Sequence, residues 1–270
     1  MGKVISFANQ KGGVGKTTTC VNVAAFVASM GQKVLLLDMD PQGNASSGLG
    51  IEKTKDTKTI YNVISKENYI EEAVVKTGID GLDLIPATVD LAGAEIDLVQ
   101  MSNREHVIDE ILKKIKDKYD FIMIDCPPSL GLLTINSLVA SNSVIIPIQC
   151  EFYALEGLTQ LMNTIRLIIH HLNPNLQIEG VVLTMKDNRS NLVAQVSEEI
   201  KKFFGNKVFN TYIPRNIKLA EAPSHGETIV TYDISSKGAE AYWRLSAELL
   251  DRNGIDYNKI DKRKIVKGNK

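Results

Sequence analysis

The chain has 270 residues, 44% of them hydrophobic, and a formal net charge of −1. This size suits one large α/β domain with a sizeable core, and the near-neutral charge excludes a polycation that coats nucleic acid with its whole surface. No apolar run approaches the ~18 residues of a membrane span. Because the first strand signal starts at Val4, we expect no signal peptide. Three cysteines without paired spacing are typical of a reducing cytoplasm, where we expect the protein to work.

Short apolar runs indicate strands, and apolar positions at helical spacing indicate helices. The strand signals are residues 4–8, 34–38, 82–86, 121–125, 144–148 and 178–184. The helical signals are residues 17–30, 107–115, 158–172 and 235–252. Because continuous apolar strands that alternate with helices are covered on both faces, we predict an α/β fold with a mostly parallel sheet between two helical layers. We assign residues 1–254 to a single domain and residues 255–270 to a basic tail that we expect to be mobile.

A glycine-rich segment, KGGVGKTT at residues 11–18, follows the first strand signal and opens the first helix. At such a junction, backbone N–H groups converge on phosphate and the helix N-terminus adds partial positive charge. We therefore predict a P-loop, in which Lys16 reaches the β- and γ-phosphates and the Thr17 hydroxyl binds Mg²⁺. The rest of the predicted cradle is Gly12, Gly13, Val14, Gly15 and Thr18.

The glycine-rich segment departs from the usual P-loop pattern at one place. Gln10 stands five residues before Gly15, where the pattern has glycine, and a second lysine, Lys11, precedes the glycine pair. This spacing matches the deviant Walker A motif. A guanine-reading [NT]KxD element is absent, because the run TMKD at residues 184–187 has its lysine one place out of register. We therefore expect ATP rather than GTP.

Two carboxylate motifs follow later strand signals. The run DMDPQGN at residues 38–44 places Asp38 and Asp40 where loops of a doubly wound sheet line the ligand crevice. We predict that Asp40 orients and polarises the attacking water beside the metal, with Asp38 in support, because phosphoryl transfer depends on placement and charge stabilisation. The run FIMIDCPPS at residues 121–129 has the Walker B form, so we predict that Asp125 holds the Mg²⁺ shell opposite Thr17.

These motifs, together with IPRNIKLAEAPSHG at residues 213–226, resemble the ParA family of partition ATPases, close to the chromosomal ParA/Soj type. The resemblance covers nearly all of residues 1–252. It implies a P-loop α/β domain, a Mg²⁺-dependent ATPase and a homodimer that forms around two ATP molecules. It also implies binding of double-stranded DNA without sequence preference and stimulation by a ParB-like protein. Such a protein is cytoplasmic, associates with the nucleoid and does not bind membrane.

The resemblance implies roles for residues around the nucleotide. Lys11 would reach across the dimer to the partner's nucleotide, like an arginine finger supplied in trans. Gly12 and Gly13 permit the close backbone approach that this contact requires. Pro214 and Asn216 would lie at the adenine edge.

The resemblance also implies DNA contacts at Arg189 and at Lys218, which starts a helix predicted at residues 218–222. Basic residues that face phosphates provide affinity and salt dependence without reading bases. The net charge of −1 means that any such binding must come from a local patch. Further basic residues that we expect to extend the patch are Lys186, Lys201, Lys202 and Arg215.

On the sequence alone, two other functions stay open. A membrane-cycling ATPase related to MinD would need an amphipathic C-terminal helix, but the aliphatic residues of the tail are spaced at about five positions rather than three or four. A DNA-binding regulator would use ATP only as a switch. ATP turnover distinguishes this regulator from an ATPase.

Overall fold

The computed structural model describes residues 2–151, 154–187 and 190–256. Within these ranges, seven strands form one sheet in the order β3-β4-β2-β5-β1-β6-β7. All neighbouring pairs are parallel except β3 with β4. The strands are β1 (Lys3–Phe7), β2 (Val34–Asp38), β3 (Val75–Lys76), β4 (Leu82–Ile85), β5 (Phe121–Asp125), β6 (Ser143–Gln149) and β7 (Gln177–Thr184). The predicted α/β fold with a mostly parallel sheet is confirmed.

Helices alternate with these strands along the chain. The long ones are α1 (Lys16–Ser29), α7 (Ala154–His171), α8 (Asn191–Phe204) and α11 (Lys237–Arg252). The shorter ones are α2 (Asn44–Gly48), α3 (Ile60–Ile64), α4 (Leu91–Val99), α5 (Val107–Leu112), α6 (Leu132–Val139), α9 (Ile217–Glu221) and α10 (Ile229–Tyr232).

Two apolar clusters fill the space between the sheet and its two helical layers. Side chains of a strand alternate between faces, and β2 shows this clearly. Leu35 and Leu37 join the cluster formed with α4 to α8, whereas Leu36 joins the cluster formed with α1 and α11. All three leucines are fully buried, which explains why the strands read as continuous apolar runs.

The structure differs from the sequence prediction in several short elements and in one long helix. The helical signal at residues 107–115 is shorter than predicted, because α5 ends at Leu112 and the buried Ile115 lies beyond it. The helices α2, α3, α4, α6 and α10 and the antiparallel strand β3 were not predicted, since elements of two to nine residues show too little periodicity. The 14-residue helix α8 was not predicted either, although its buried Val196, Ile200 and Phe204 recur every four residues. Among the described helices, none is long and apolar enough to cross a membrane. The basic tail from residue 257 onward lies outside the described residues.

Candidate nucleotide-binding site

The carboxyl ends of three adjacent strands form the candidate site. In the register of the sheet, Asp125 at the end of β5 is the partner of Asp38 on β2 and of Phe7 on β1. The glycine-rich segment leaves β1 after Phe7 and enters α1 at Lys16. Because parallel strands share one carboxyl edge, three motifs that are far apart in the sequence lie side by side.

The turn between β1 and α1 depends on its glycines. Gly13 and Gly15 have φ angles of 75° and 83°, which other residues adopt only with strain. Gly15 precedes α1 directly, and its carbonyl accepts the N–H of Thr19 at 2.9 Å. The first N–H groups of a helix have no hydrogen-bond partner within the helix. In α1 these groups lie at the start of the helix, next to the glycine-rich loop, and are available to a ligand there.

Lys16 and Asp125 are buried opposite charges at the site. Lys16 is only 6% exposed, and this burial lowers its pKa. The negative charge of Asp125 raises the pKa of Lys16 more than any other neighbour does, but it does not outweigh burial. Asp125 is fully buried, and its pKa is raised by burial and then by Asp38, whereas the Thr17 hydroxyl and Lys16 lower it. The edge therefore holds both a cation and a carboxylate away from water.

The Asp125 carboxylate fits a magnesium ion. Neither of its oxygens has a hydrogen bond of normal geometry to another described residue, although the Thr17 hydroxyl is close enough to affect its pKa. A buried carboxylate beside a threonine hydroxyl supplies the oxygen ligands that Mg²⁺ prefers. No group of three or more His, Cys, Asp or Glu residues in the described ranges forms a metal site. Phosphate oxygens and waters would therefore complete the coordination, as is usual for Mg²⁺.

The two aspartates that follow β2 differ in their contacts. Asp38 is fully buried and accepts hydrogen bonds from the Ser46 N–H at 2.9 Å, the Ser46 hydroxyl at 2.7 Å and the Asp40 N–H at 3.2 Å. Burial is the main cause that raises the pKa of Asp38 to about 6. Asp40 is 6% exposed and accepts the Gln42 N–H through Oδ1 at 3.0 Å. Asp38 therefore anchors α2 to β2, and Asp40 lies in the loop beyond it.

A cavity of about 390 Å³ opens beside the glycine-rich segment. Gly15 and Thr18 line one side of it, and Pro214 and Asn216 are among the residues that line the other. The Asn216 side chain also caps α9 by accepting the Lys218 N–H at 2.9 Å. The structure thus brings two residues of the predicted cradle and both residues of the predicted adenine edge to one cavity. Sequence reasoning missed three further lining residues, which carry no motif signal: Thr184, Met185 and Tyr242.

Lys11 lies at the same edge of the sheet and forms an ion pair that the sequence did not reveal. Its Nζ is 2.8 Å from Oε2 of Glu151, which follows β6. The side chains are 36% and 45% exposed, respectively. The sequence shows Glu151 as an acidic residue just after a strand signal. It does not show that Lys11 is its partner, because that depends on the register of β1 and β6.

The predicted DNA contacts are only partly visible in the structure. Arg189 lies outside the described residues. Lys218 is the second residue of α9 rather than its first, because Asn216 caps the helix and Ile217 begins it. Its Nζ pairs with Glu221 at 2.9 Å. The additional basic residues line three cavities: Lys186 and Lys201 line a second one, Lys202 lines a third, and Arg215 lines the cavity beside Gly15. Lys186 also forms a parallel bridge with Pro214, next to Arg215.

Comparisons with known proteins agree with this geometry. A family model described as an AAA domain matches residues 2–178. The sporulation initiation inhibitor protein Soj of Bacillus subtilis is 57% identical over 249 residues, which are 92% of this chain and 98% of that protein. The chromosome partitioning protein ParA of Myxococcus xanthus is 51% identical over 253 residues, which are 94% of this chain and 89% of that protein.

A solved structure gives the same result for the fold. It is the crystal structure of cobyrinic acid a,c-diamide synthase from Mycobacterium smegmatis with bound ADP and magnesium. This chain matches it with a TM-score of 0.82 and 35% identity, over 94% of this chain and 96% of that one. With its glycine-rich turn, its paired acidic strand ends and these relatives, the chain belongs to the ParA/Soj family of chromosome-partitioning ATPases.

Proposed function

We propose that this protein segregates DNA through an ATP-driven cycle. ATP binding drives a homodimer that binds double-stranded DNA without sequence preference, and hydrolysis, stimulated by a ParB-like protein, returns the subunits to monomers. The observation that carries this proposal is the buried Lys16 beside the unpaired Asp125 carboxylate, next to a cavity large enough for a nucleotide base. Membership of the partitioning ATPase family supports it.

The nucleotide binds along the carboxyl edge of the sheet. Backbone N–H groups of residues 12–18 hold the phosphates, and Lys16 neutralises the β- and γ-phosphates. The base enters the cavity between Gly15 and the segment that contains Pro214 and Asn216. The ADP and magnesium bound in the similar solved structure support a nucleotide and Mg²⁺ as ligands of this chain.

Thr17 and Asp125 would hold Mg²⁺, and Asp40 would contribute a further carboxylate to the same site. When bound, the ion neutralises charge on the β- and γ-phosphate oxygens. Burial of Asp125 keeps its carboxylate away from water, so a ligand that pairs with it is favoured over an unpaired charge.

Hydrolysis needs an oriented water and stabilisation of charge on the γ-phosphoryl group. Asp40 orients the water for in-line attack on the γ-phosphorus, and the bond to the β–γ bridging oxygen breaks to yield ADP and phosphate. Lys11 of each subunit reaches the nucleotide of the other, which couples turnover to the dimer. The DNA-contacting residues are Arg189 and Lys218, which dimerisation doubles on one surface.

We also propose that residues 1–254 act as one ATPase domain and that the protein works in the cytoplasm, at the nucleoid. The decisive experiment measures binding of the purified protein to DNA and to lipid vesicles, each with ATP and with ADP. We expect DNA binding that requires ATP, and no vesicle binding. Vesicle binding without DNA binding would contradict this proposal and favour a membrane-cycling ATPase instead.

A further inference from the structure

Lys11, the lysine proposed to act across the dimer, is held by its own subunit in this structure. Its Nζ lies 2.8 Å from Glu151 Oε2. The main chain at Lys11 is also held, because its N–H donates to Asn9 Oδ1 at 3.0 Å, while Asn9 Nδ2 donates to the carbonyl of Pro147 on β6 at 2.7 Å. The glycine-rich segment and the end of β6 are thus joined through both backbone and side-chain contacts.

Glu151 is itself oriented for this contact. Its Oε1 accepts a 2.5 Å hydrogen bond from Gln149 Nε2, and its N–H donates to the Gln149 carbonyl at 2.8 Å. Gln149 is the last residue of β6, which pairs with β1 at the centre of the sheet. The carboxylate is therefore positioned from a rigid strand end, with one oxygen held by Gln149 and the other presented to Lys11.

An ammonium group that pairs with Glu151 is not free to bind a phosphate on another subunit. We propose that Glu151 is an intrasubunit latch, which retains Lys11 in the monomer and releases it only when a partner subunit presents the γ-phosphate of ATP. This inference rests on the proposed function. The latch opposes dimerisation with any nucleotide, and the triphosphate offers the stronger negative charge that replaces the carboxylate. With ADP the γ-phosphate is missing and Lys11 stays on Glu151.

The size of the effect follows from the exposure of the pair. Ion pairs that are partly open to water contribute little individually, and both side chains here are more than a third exposed. Each dimer breaks two copies of the pair, so removal of the latch acts twice. We expect Glu151→Gln, which keeps the shape and removes the charge, to tighten ATP-dependent dimerisation by roughly two- to thirtyfold.

The test measures the dimer dissociation constant by sedimentation or light scattering, with ATP and with ADP. A matched control is Glu71→Gln. Glu71 pairs with Lys118 at 3.2 Å, has a similar side-chain exposure of 47%, and lies near the amino end of β5, at the opposite edge of the sheet. We expect the dissociation constant with ATP to fall for Glu151→Gln and to stay at the wild-type value for Glu71→Gln. With ADP, all three proteins should remain monomeric.

A second measurement reports the latch without a dimer. In nucleotide-free monomers, an amine-reactive reagent should modify Lys11 faster in Glu151→Gln than in the wild type, as quantified by mass spectrometry. An unchanged modification rate, or a variant that dimerises with ATP no more tightly than the wild type, would overturn the latch alone. A wild-type chain that stays monomeric with ATP would instead contradict the proposed function.

Discussion

Thr184 Oγ1 donates a 2.7 Å hydrogen bond to the carbonyl oxygen of Val14, within the glycine-rich loop. Both residues are 2% exposed, so this bond forms away from water. The next residue, Met185, has a φ of 49° and lines the cavity beside Gly15. The end of β7 therefore supports the loop from β1 to α1 and forms a wall of the candidate base pocket.

Thr184→Val should remove the hydrogen bond to Val14 while it keeps the volume of the side chain nearly unchanged. Valine has nearly the same shape, but it leaves the buried Val14 carbonyl without this donor, at a cost of about 1–3 kcal/mol in the free energy of unfolding. We expect weaker ATP binding as well, because the loop loses a support. Denaturant unfolding and calorimetric titration with ATP measure both effects. Thr184→Ser keeps the hydroxyl and should retain most of the ATP affinity; equal losses in the two variants would argue against the hydrogen bond.

Lys16→Ala should remove the main counter-charge for the β- and γ-phosphates. Charge-assisted hydrogen bonds to charged groups contribute about 1.5–3 kcal/mol each, so we expect ATP affinity to fall by about a hundredfold or more. Calorimetric titration measures the loss. The control is Lys113→Ala, since Lys113 is an exposed lysine directly after α5 that pairs with Asp109. Normal ATP binding by Lys16→Ala would show that the P-loop assignment is wrong.

Asp40→Ala and Lys11→Ala should fail at different steps of the cycle. Asp40→Ala keeps the cradle but loses the group that orients water, so we expect an ATP-bound dimer whose turnover is about a hundredfold slower. Lys11→Ala loses the cross-dimer contact, and we expect an ATP-bound monomer. Light scattering with ATP, combined with phosphate release, distinguishes the two. A monomeric Asp40→Ala protein, or one with unchanged turnover, would exclude the role proposed for Asp40.

Affinity for DNA should depend on salt, on ATP and on the proposed basic contacts. Each phosphate that the protein neutralises releases counterions, so the log–log slope of affinity against salt is about −0.9 per phosphate. The double variant Arg189→Glu, Lys218→Glu should flatten this slope and abolish binding, while basal ATP turnover stays near normal. Two unrelated duplexes should bind about equally, because the contacts are to the backbone. Equal affinity with ATP and ADP would contradict the proposed switch.

Glu179→Gln should destabilise the fold in a pH-dependent way. Glu179 accepts hydrogen bonds from Lys3 at 2.5 Å and from Asn253 at 2.8 Å, which tie β7 to β1 and to the end of α11. Burial alone raises the pKa of Glu179, but these partners outweigh it and hold the pKa below its ordinary value. The charged form therefore stabilises the folded state above the unfolded pKa, and this contribution is lost as the pH falls through the folded pKa.

We expect the Glu179→Gln variant to lose about 1–3 kcal/mol of unfolding free energy at pH 7. The difference from the wild type should begin to shrink near pH 4, where the carboxylate becomes protonated in the unfolded state, and should vanish as the pH falls through the lower folded pKa. Denaturant unfolding at several pH values measures this difference in unfolding free energy. The control is Glu71→Gln, which should change stability much less because the Glu71 side chain is exposed. A difference that does not vary with pH would show that the charge of Glu179 is not responsible.

The local features of this protein were already determined by the sequence. Glycines at positions 13 and 15, a lysine and threonine at the start of a helix, and aspartates at the ends of apolar strands predict a phosphate site, because each depends on backbone preferences or on short spacing. Strands buried on both faces are continuously apolar, so the strand signals and the parallel sheet were predictable as well. Short elements such as α2 and β3 were not predictable, because they contain too few residues to show a periodic pattern of apolar positions.

Contacts between distant segments were decided only by the tertiary structure. The ion pair of Lys11 with Glu151 and the hydrogen bond of Thr184 with Val14 each join strand ends that are far apart in the chain. Neither residue type nor spacing specifies such a partner, because the register and order of β7, β6 and β1 determine which side chains meet at the carboxyl edge. The tertiary structure also brings Lys186 beside the segment of Arg215: the Lys186 N–H donates to the Ile213 carbonyl at 3.0 Å, and Lys186 forms a parallel bridge with Pro214, the residue before Arg215.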